Sequence, residues 1–299
     1  MIPGKALLIF PKQFQMGYLK LERDYDARRY PPLGLMYISS ALKEIGIKPE
    51  LIDMTALDIT SDDIVKKVIG NDYLFAGFYT DTTTRSAVLD YIKLIKKHKN
   101  IQILIGGPSS QDPEFFLENE DVAVVHGEGE ETVKKIALNI ASGKDFSGIK
   151  GVSYKKNGIL FSDKSAQLLE NLDSIPFPDR DAIDTSKYQD YYNLNYKGPF
   201  ATIITSRGCP TNCVYCTSSN FWGRRVRFRN VDSVIGEIKY LKSRYNTKYV
   251  DFVDDIFNLN KKWLDEFCGK LIKEKLSINW SCNMYPFDMP LDLLRKAKA

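Results

Sequence analysis

RGCPTNCVYCTSS, residues 207–219, gathers three of the chain's five cysteines, Cys209, Cys213 and Cys216, into eight positions. Their spacing is C-x3-C-x2-C. Gly208, Pro210 and Asn212 stand between and before the thiols, and these residue types favour an irregular loop over a helix. FATIITSRG, residues 200–208, reads as a strand running into that loop. A loop leaving a strand can curl three thiolates around one centre. Three sulfurs suit a four-iron cluster that keeps one iron open, whereas a fourth would complete its coordination and favour plain electron transfer. A structural zinc site would need a fourth ligand, from Cys268 or Cys282. Neither belongs to a paired C-x2-C, and Cys268 falls mid-helix among apolar positions, so both read as small core residues.

Beyond the loop, strand and helix signals alternate. Residues 231–246 carry Val234, Ile238 and Leu241 on one helical stripe. KYVDFVDDIF (248–257) is a strand, 261–276 a helix, INWSCNMYPF (278–287) a strand, and 291–299 the opening of a further helix. The same alternation runs ahead of the loop. ALLIF (6–10), PELIDM (49–54), YLFAGFYT (73–80), IQILIGG (101–107) and VAVVHG (122–127) are short apolar strands. Helical patterns at 31–46, 62–69, 86–97 and 130–143 separate them, with Pro32 suited to a helix start and Gly46 to a stop.

Apolar strands divided by amphipathic helices predict parallel βαβ units with both sheet faces covered. Residues 1–145 are therefore expected to form an α/β, Rossmann-like (flavodoxin-like) domain with a five-stranded parallel sheet. Ligands of such sheets sit beyond the C-terminal strand ends, here Pro11 to Tyr30, Tyr79 to Thr84, Gly106 to Ser110 and Gly127 to Glu130. The first of these loops is unusually long. Residues 146–198 read as a hairpin turning at Asn157-Gly158 and then a linker broken by Pro176 and Pro178. Residues 199–299 resume the βα pattern.

Composition bounds the rest. With 43% hydrophobic and 27% charged residues over 299 positions, most of the chain should fold, and the length suits two domains. A net charge of +4 neither demands nor excludes an anionic partner, and no nucleic-acid signature stands out. No run approaches the roughly 18 apolar residues of a membrane span. The N-terminal apolar stretch is too short for a signal peptide. An odd cysteine count argues against a disulfide framework, so the cytoplasm is the expected compartment.

CPTNCVYC resembles the signature of the radical S-adenosylmethionine (SAM) superfamily, C-x3-C-x-aromatic-C, with Tyr215 as the aromatic. The resemblance implies a [4Fe-4S] cluster held by Cys209, Cys213 and Cys216, with SAM on the open iron and an external electron donor. Reduction of the cluster cleaves SAM to methionine and a 5′-deoxyadenosyl radical. The strand end DFVDDIF stands where the family contacts the SAM amino group, making Asp254 and Asp255 the candidates. It departs from the glycine-rich form of that segment and matches a D-D-x-F version; a solvated acidic strand end is the competing reading. GRRVRFRN (223–230) adds four arginines that could grip a carboxylate or phosphate, or form a solvated basic loop.

The front half resembles the cobalamin-binding domain that precedes many radical SAM cores. YPPLGLMYISSALKEIGIKPELIDM, IGGPSSQDPE and VVHGEGEET carry that likeness, and DSIPFPDRD resembles the linker. It implies cobalamin contacts at Tyr79, Thr80, Gly106, Gly107, Pro108, Gly127, Glu128 and Gly129. The D-x-H-x-x-G motif whose histidine ligates cobalt is missing. His98 reads as a surface residue and His126 as a turn or core residue, so the cofactor's lower face is not expected to be held by histidine.

Methyl transfer to an unactivated carbon of a small-molecule substrate is the reaction this branch implies. Cobalamin-dependent cyclisation or rearrangement, a radical SAM enzyme whose front domain binds no cobalamin but serves as a substrate or partner module, and a non-catalytic metal- or ligand-binding α/β protein are the alternatives. Three strands follow Phe200, about half the barrel the family implies, so the chain is expected to be cut short within the barrel and poorly active alone.

Overall fold

The computed structural model describes residues 4–12, 30–118, 121–165, 168–188, 198–286 and 289–298. The chain divides into two compact units. One is built on Pro32–Leu169 and Ile175–Lys187 together with the first strand. The other runs from Tyr188 onward and takes in Tyr30 and Glu170–Ser174. Of the long first loop expected between Pro11 and Tyr30, residues 13–29 lie outside the described residues.

In the first unit, strands β1 (Gly4–Phe10), β2 (Ile47–Asp53), β3 (Tyr73–Tyr79), β4 (Gln102–Gly106) and β5 (Val122–Val125) pair in parallel in the order β2-β1-β3-β4-β5. Helices α1 (Leu33–Glu44), α2 (Ser61–Ile69), α3 (Arg85–Lys96) and α4 (Glu130–Ala141) cover both faces. The alternation of side chains explains how four-residue apolar runs serve two cores at once. Leu7, Ile9, Phe78, Ile103 and Val124 pack on the α2–α3 side. Ala6, Leu8, Phe75, Leu104 and Ala123 pack on the α1–α4 side. The order reverses between β1 and β3, which opens the ligand-binding crevice of such sheets beyond their C-terminal ends.

The five-stranded expectation falls short by two. Strands β6 (Val152–Lys156) and β7 (Ile159–Ser162) form the hairpin read from Asn157-Gly158, whose φ angles are 53° and 74°. Instead of standing apart as part of a linker, β6 joins β5 antiparallel and makes the sheet seven-stranded. The physical reason is the edge of β5, whose backbone needs partners that a parallel βα unit no longer supplies. The linker then follows as short 3-10 turns at Leu172–Ser174, Arg180–Ala182 and Thr185–Lys187.

In the second unit, β8 (Phe200–Ile203), β11 (Tyr249–Phe252) and β12 (Asn279–Cys282) form a parallel sheet in the order β12-β11-β8. Helices α6 (Val231–Tyr245) and α7 (Lys261–Lys273) pack Val234, Ile238, Phe267 and Cys268 against Ile203, Val250 and Phe252. Helix α8 (Leu291–Lys298) follows β12. Between β8 and α6 lie a two-residue strand pair, β9 (Ser206–Arg207) with β10 (Arg227–Phe228), and the short helix α5 (Ser218–Trp222). The cysteine loop is the excursion between β9 and α5.

Candidate functional site: a cysteine loop and a strand-end cradle

The cysteine loop is tethered at both ends and bare at its tip. Cys209 N donates to Gly223 O at 3.1 Å, and Cys216 N donates to Cys213 O at 3.1 Å. Gly208 has a φ of +110° and runs so close to Arg225 O that no Cβ would fit. Cys209 is buried, Cys216 half-buried and Cys213 exposed. Tyr215, expected beside SAM, is 87% exposed at the tip. Thr211 Oγ1 lies 3.0 Å from Cys209 Sγ and 3.7 Å from Cys213 Sγ, so two thiols share one hydroxyl. Cys216 Sγ lies 3.3 Å from Ser218 Oγ and accepts from Ser218 N at 3.5 Å.

Among the described residues no three His, Cys, Asp or Glu side chains are gathered tightly enough to hold one metal ion. Thiolates that each take a different iron of a four-iron cube need no such convergence. The donor set of three soft thiolates on a partly exposed loop fits that cluster. The other two cysteines are poor ligands. Burial pushes the Cys268 thiol up to about 11 and the Cys282 thiol up to about 12.

The two aspartates read from DFVDDIF part company. Asp254 is fully buried and turned into its own unit. Its Oδ1 and Oδ2 each accept from Thr205 N at 3.1 Å, and Oδ1 also accepts from Thr205 Oγ1 at 2.8 Å, Ser206 Oγ at 2.5 Å and Ser206 N. Burial lifts its pKa to about 6 while these donors pull the other way. Asp254 thus pins the backbone that leads from β8 into the cysteine loop. Asp255 is half-buried, and its Oδ1 accepts from Ser218 Oγ at 2.8 Å. A line of contacts therefore runs from Cys216 Sγ through the Ser218 hydroxyl to the Asp255 carboxylate.

The four arginines of 223–230 divide evenly, with Arg227 and Arg229 buried and engaged within the fold and Arg224 and Arg225 exposed. Arg229 is buried and donates to Glu237 Oε2 at 2.6 Å. Arg227 is buried and donates to Trp222 O at 2.9 Å. Arg225 pairs with Glu170.

In the first unit, the expected cobalamin residues meet at the ends of β3, β4 and β5. Thr80 N donates to Gly106 O at 2.8 Å, and Ser109 N donates to Thr80 O at 3.2 Å, lacing β3 to the turn after β4. Gly107 has a φ of +102°, and a Cβ there would sit 2.5 Å from Thr80 O. A Cβ on Gly106 would meet nothing within 4 Å, so the cradle is open beside it. Pro108 starts the 3-10 turn Pro108–Gln111. The hydroxyls of Thr80, Ser109 and Ser110 are buried without a hydrogen-bond partner among the described residues. Three orphaned hydroxyls at one sheet end fit a ligand bearing polar groups, as the amide-fringed ring of cobalamin does. Tyr79 rests on Phe10, ring centroids 4.8 Å apart, and burial raises its phenol pKa. Glu128 is buried and accepts from Leu169 N at 2.8 Å; Gly127 and Gly129 flank it. His126 is buried, with Nε2 2.8 Å from Ser153 Oγ, so its ring is committed to the hairpin. His98 is exposed.

The sequence reading placed the segment Gly106 to Ser110 at a ligand-facing strand end without singling out Ser109 and Ser110, and it missed Thr211 and Ser218 as neighbours of the sulfurs. Their only signal was proximity, since each lies within three residues of a predicted site residue.

Two family models match the chain: the B12 binding domain over residues 26–137 and the Radical SAM superfamily over residues 203–299. The chain is a radical SAM superfamily protein with a B12-binding domain. Those domains imply a [4Fe-4S] cluster, SAM and cobalamin as its cofactors. Among curated proteins, it is 37% identical to an uncharacterized methyltransferase of Pyrococcus horikoshii, over 85% of this chain and 55% of that protein. It is 28% identical to the anaerobic magnesium-protoporphyrin IX monomethyl ester cyclase of Synechocystis sp., over 83% of this chain and 50% of that one. This radical SAM chain therefore spans about half the length of the curated relatives it matches. Its fold is shared with the radical S-adenosylmethionine methyltransferase TsrM of Kitasatospora setae, solved with cobalamin and a [4Fe-4S] cluster. The TM-score is 0.73 at 18% identity, covering 98% of this chain and 59% of that one. No helix among the described residues is long and apolar enough to cross a membrane.

Proposed function

We propose that this chain serves a cobalamin-dependent radical SAM methyltransferase that places a methyl group on an unactivated carbon of a small molecule. The observation that carries the reading is the three-thiol loop beside Asp255, in a chain that also holds the strand-end cradle of a B12-binding fold. When bound, the cluster supplies the electron that cleaves SAM, and cobalamin carries the methyl group.

The chain's own residues divide the work. Residues 1–145 cradle cobalamin, the hairpin of 146–198 extends their sheet while the rest of that segment connects, and 199–299 hold the cluster and SAM. Cys209, Cys213 and Cys216 would hold the cluster as thiolates, and with three ligands they would leave it open to SAM. The Asp255 carboxylate accepts from the SAM ammonium, Asp254 holds the loop in register, and Tyr215 lines the adenosyl side. Thr80, Ser109 and Ser110 donate to the polar rim of cobalamin. Gly106 and Gly107 with Pro108 leave room for its edge, and Tyr79 with Gly127, Glu128 and Gly129 closes the cradle. Neither His98, which is exposed, nor His126, whose Nε2 is engaged with Ser153, would serve as a cobalt ligand. An external one-electron donor and a reducing cytoplasmic setting complete the reading.

The likeness to the anaerobic cyclase of Synechocystis sp. supports a second reading, cyclisation, on the same site.

Anaerobic reconstitution with iron, sulfide and cobalamin tests the proposal. Iron and cobalt should both be retained, with visible spectra of each cofactor. Added SAM and a low-potential reductant should give 5′-deoxyadenosine, and SAM labelled on its methyl group should pass label to cobalamin. A protein that binds zinc, or shows no iron–sulfur absorption, sinks the proposal. Retention of iron without cobalt would remove the methyl-transfer reading and keep the cluster.

A further inference from the structure

The contact line Cys216 Sγ, Ser218 Oγ, Asp255 Oδ1 contains a single hydroxyl hydrogen with two possible acceptors. In the thiol form of the loop there is no competition. The Cys216 S–H points to Ser218 Oγ at 3.3 Å, and the Ser218 O–H points to Asp255 Oδ1 at 2.8 Å. Once Cys216 is an iron-bound thiolate it carries no hydrogen to donate, and its sulfur becomes an acceptor of the same serine. Ser218 has one O–H, so it serves either the carboxylate or the sulfur. The backbone N–H of Ser218 stays on the sulfur, at 3.5 Å, in either state.

We propose that Ser218 is a hydrogen-bond switch that couples SAM binding at Asp255 to the reduction potential of the cluster. Without SAM, the unpaired carboxylate of Asp255 is the stronger acceptor and holds the hydroxyl. A SAM ammonium on Asp255 neutralises much of that charge. The hydroxyl then turns by rotation about its C–O bond to the thiolate of Cys216. One hydrogen bond is exchanged for another and no proton leaves the serine. A hydrogen bond donated to a ligating sulfur favours the reduced, more negative cluster and raises its potential. The device makes the cluster easier to reduce when its substrate is in place and harder when it is not. That order protects an open cluster from idle reduction. By linkage, the reduced cluster binds SAM more tightly by the same factor.

The inference rests on the proposed placement of SAM at Asp255, and its test separates the two. The cluster midpoint potential is measured by electron-paramagnetic-resonance redox titration of the full chain, with and without SAM. The proteins are the wild type, Ser218→Ala, Ser218→Thr and Asp255→Asn, each checked for equal iron content and circular dichroism. Wild type and Ser218→Ala should share one potential without SAM. With SAM, Ser218→Ala should fall below the wild type, and Ser218→Thr, which keeps a hydroxyl, should restore the wild-type value. Asp255→Asn, a weaker acceptor, should raise the potential already without SAM. The switch is overturned if Ser218→Ala differs equally from wild type in both states, or in neither, while SAM still perturbs the cluster signal. Failure of SAM to perturb the wild-type signal, or of the protein to hold a cluster, overturns the switch together with the SAM site.

Discussion

At the ends of β3 and β4 the backbone is closed on itself, and the side chains left over are three buried hydroxyls with no hydrogen-bond partner among the described residues. After β8 the backbone is pinned at its root by Asp254 and tethered again at Cys209 and Cys216, and the side chains left over are thiols, buried at Cys209, exposed at Cys213 and half-buried at Cys216. The first region makes a ligand site out of chain path. There the decisive residues are those whose absence of a side chain lets two strand ends touch. The second offers a site through donor chemistry, and the decisive residues are the three cysteines proposed to hold iron. The contrast says where each region will be intolerant of change.

The largest expected effect tests the chemical half. Cys209→Ala, Cys213→Ala or Cys216→Ala should each reduce iron retention and visible absorption to background after anaerobic reconstitution, with the fold intact by circular dichroism. Retention of a full cluster by any one of them would break the assignment of donors.

Next comes the root of the loop. Asp254→Ala leaves two backbone N–H groups and two hydroxyls buried without an acceptor, which should cost about 3 kcal/mol. Asp255→Ala should leave stability within about 0.5 kcal/mol, since its partner is a half-buried serine. Denaturant midpoints of the two variants compare them directly. Equal losses would erase the distinction between a structural and a ligand-facing aspartate.

The path-built half predicts a contrast between neighbours. Gly107→Ala forces a Cβ to within 2.5 Å of Thr80 O at a φ of +102°, at a cost of about 2 kcal/mol. Cobalamin retention should drop with it. Gly106→Ala, facing open space, should leave the apoprotein's stability nearly unchanged and show its effect only in cobalamin binding. Thermal melts with and without cobalamin distinguish these outcomes.

The effect smallest at neutral pH concerns His126. Burial holds the His126 pKa down at about 4, against 6.5 for an ordinary histidine, with Lys164 adding and Asp163 opposing. The folded state therefore prefers the neutral ring. Its stabilising share is complete above pH 6.5 and drains away as the pH falls toward 4, because the unfolded chain takes up the proton first. His126→Gln should flatten the slope of stability against pH across that window. An unchanged slope would show that the ring is not the group responsible.

Much of this was legible in the order of residues. Continuous apolar runs such as ALLIF and VAVV, separated by amphipathic helices, point to a parallel sheet buried on both faces, because a half-solvated sheet would alternate apolar with polar residues. Asn157-Gly158 announces its turn because few residue pairs accept two positive φ angles in succession. The C-x3-C-x2-C loop names its chemistry because thiolates at that spacing have few other uses. Local composition carries all of these.

Tertiary structure alone decided the rest. Asp254 and Asp255 are identical and adjacent, yet the first is swallowed by Thr205 and Ser206, 49 and 48 residues upstream, and the second faces Ser218. Neither outcome has a signature in DFVDDIF, because burial and hydrogen-bond partners are set by which strands pair. The joining of β6 to β5 was hidden for the same reason. A hairpin signal tells that two strands meet each other and nothing about which edge receives them. Sequence determines what the chain can form locally and which donors it carries; the meeting of distant segments determines which of those donors remain available to a ligand.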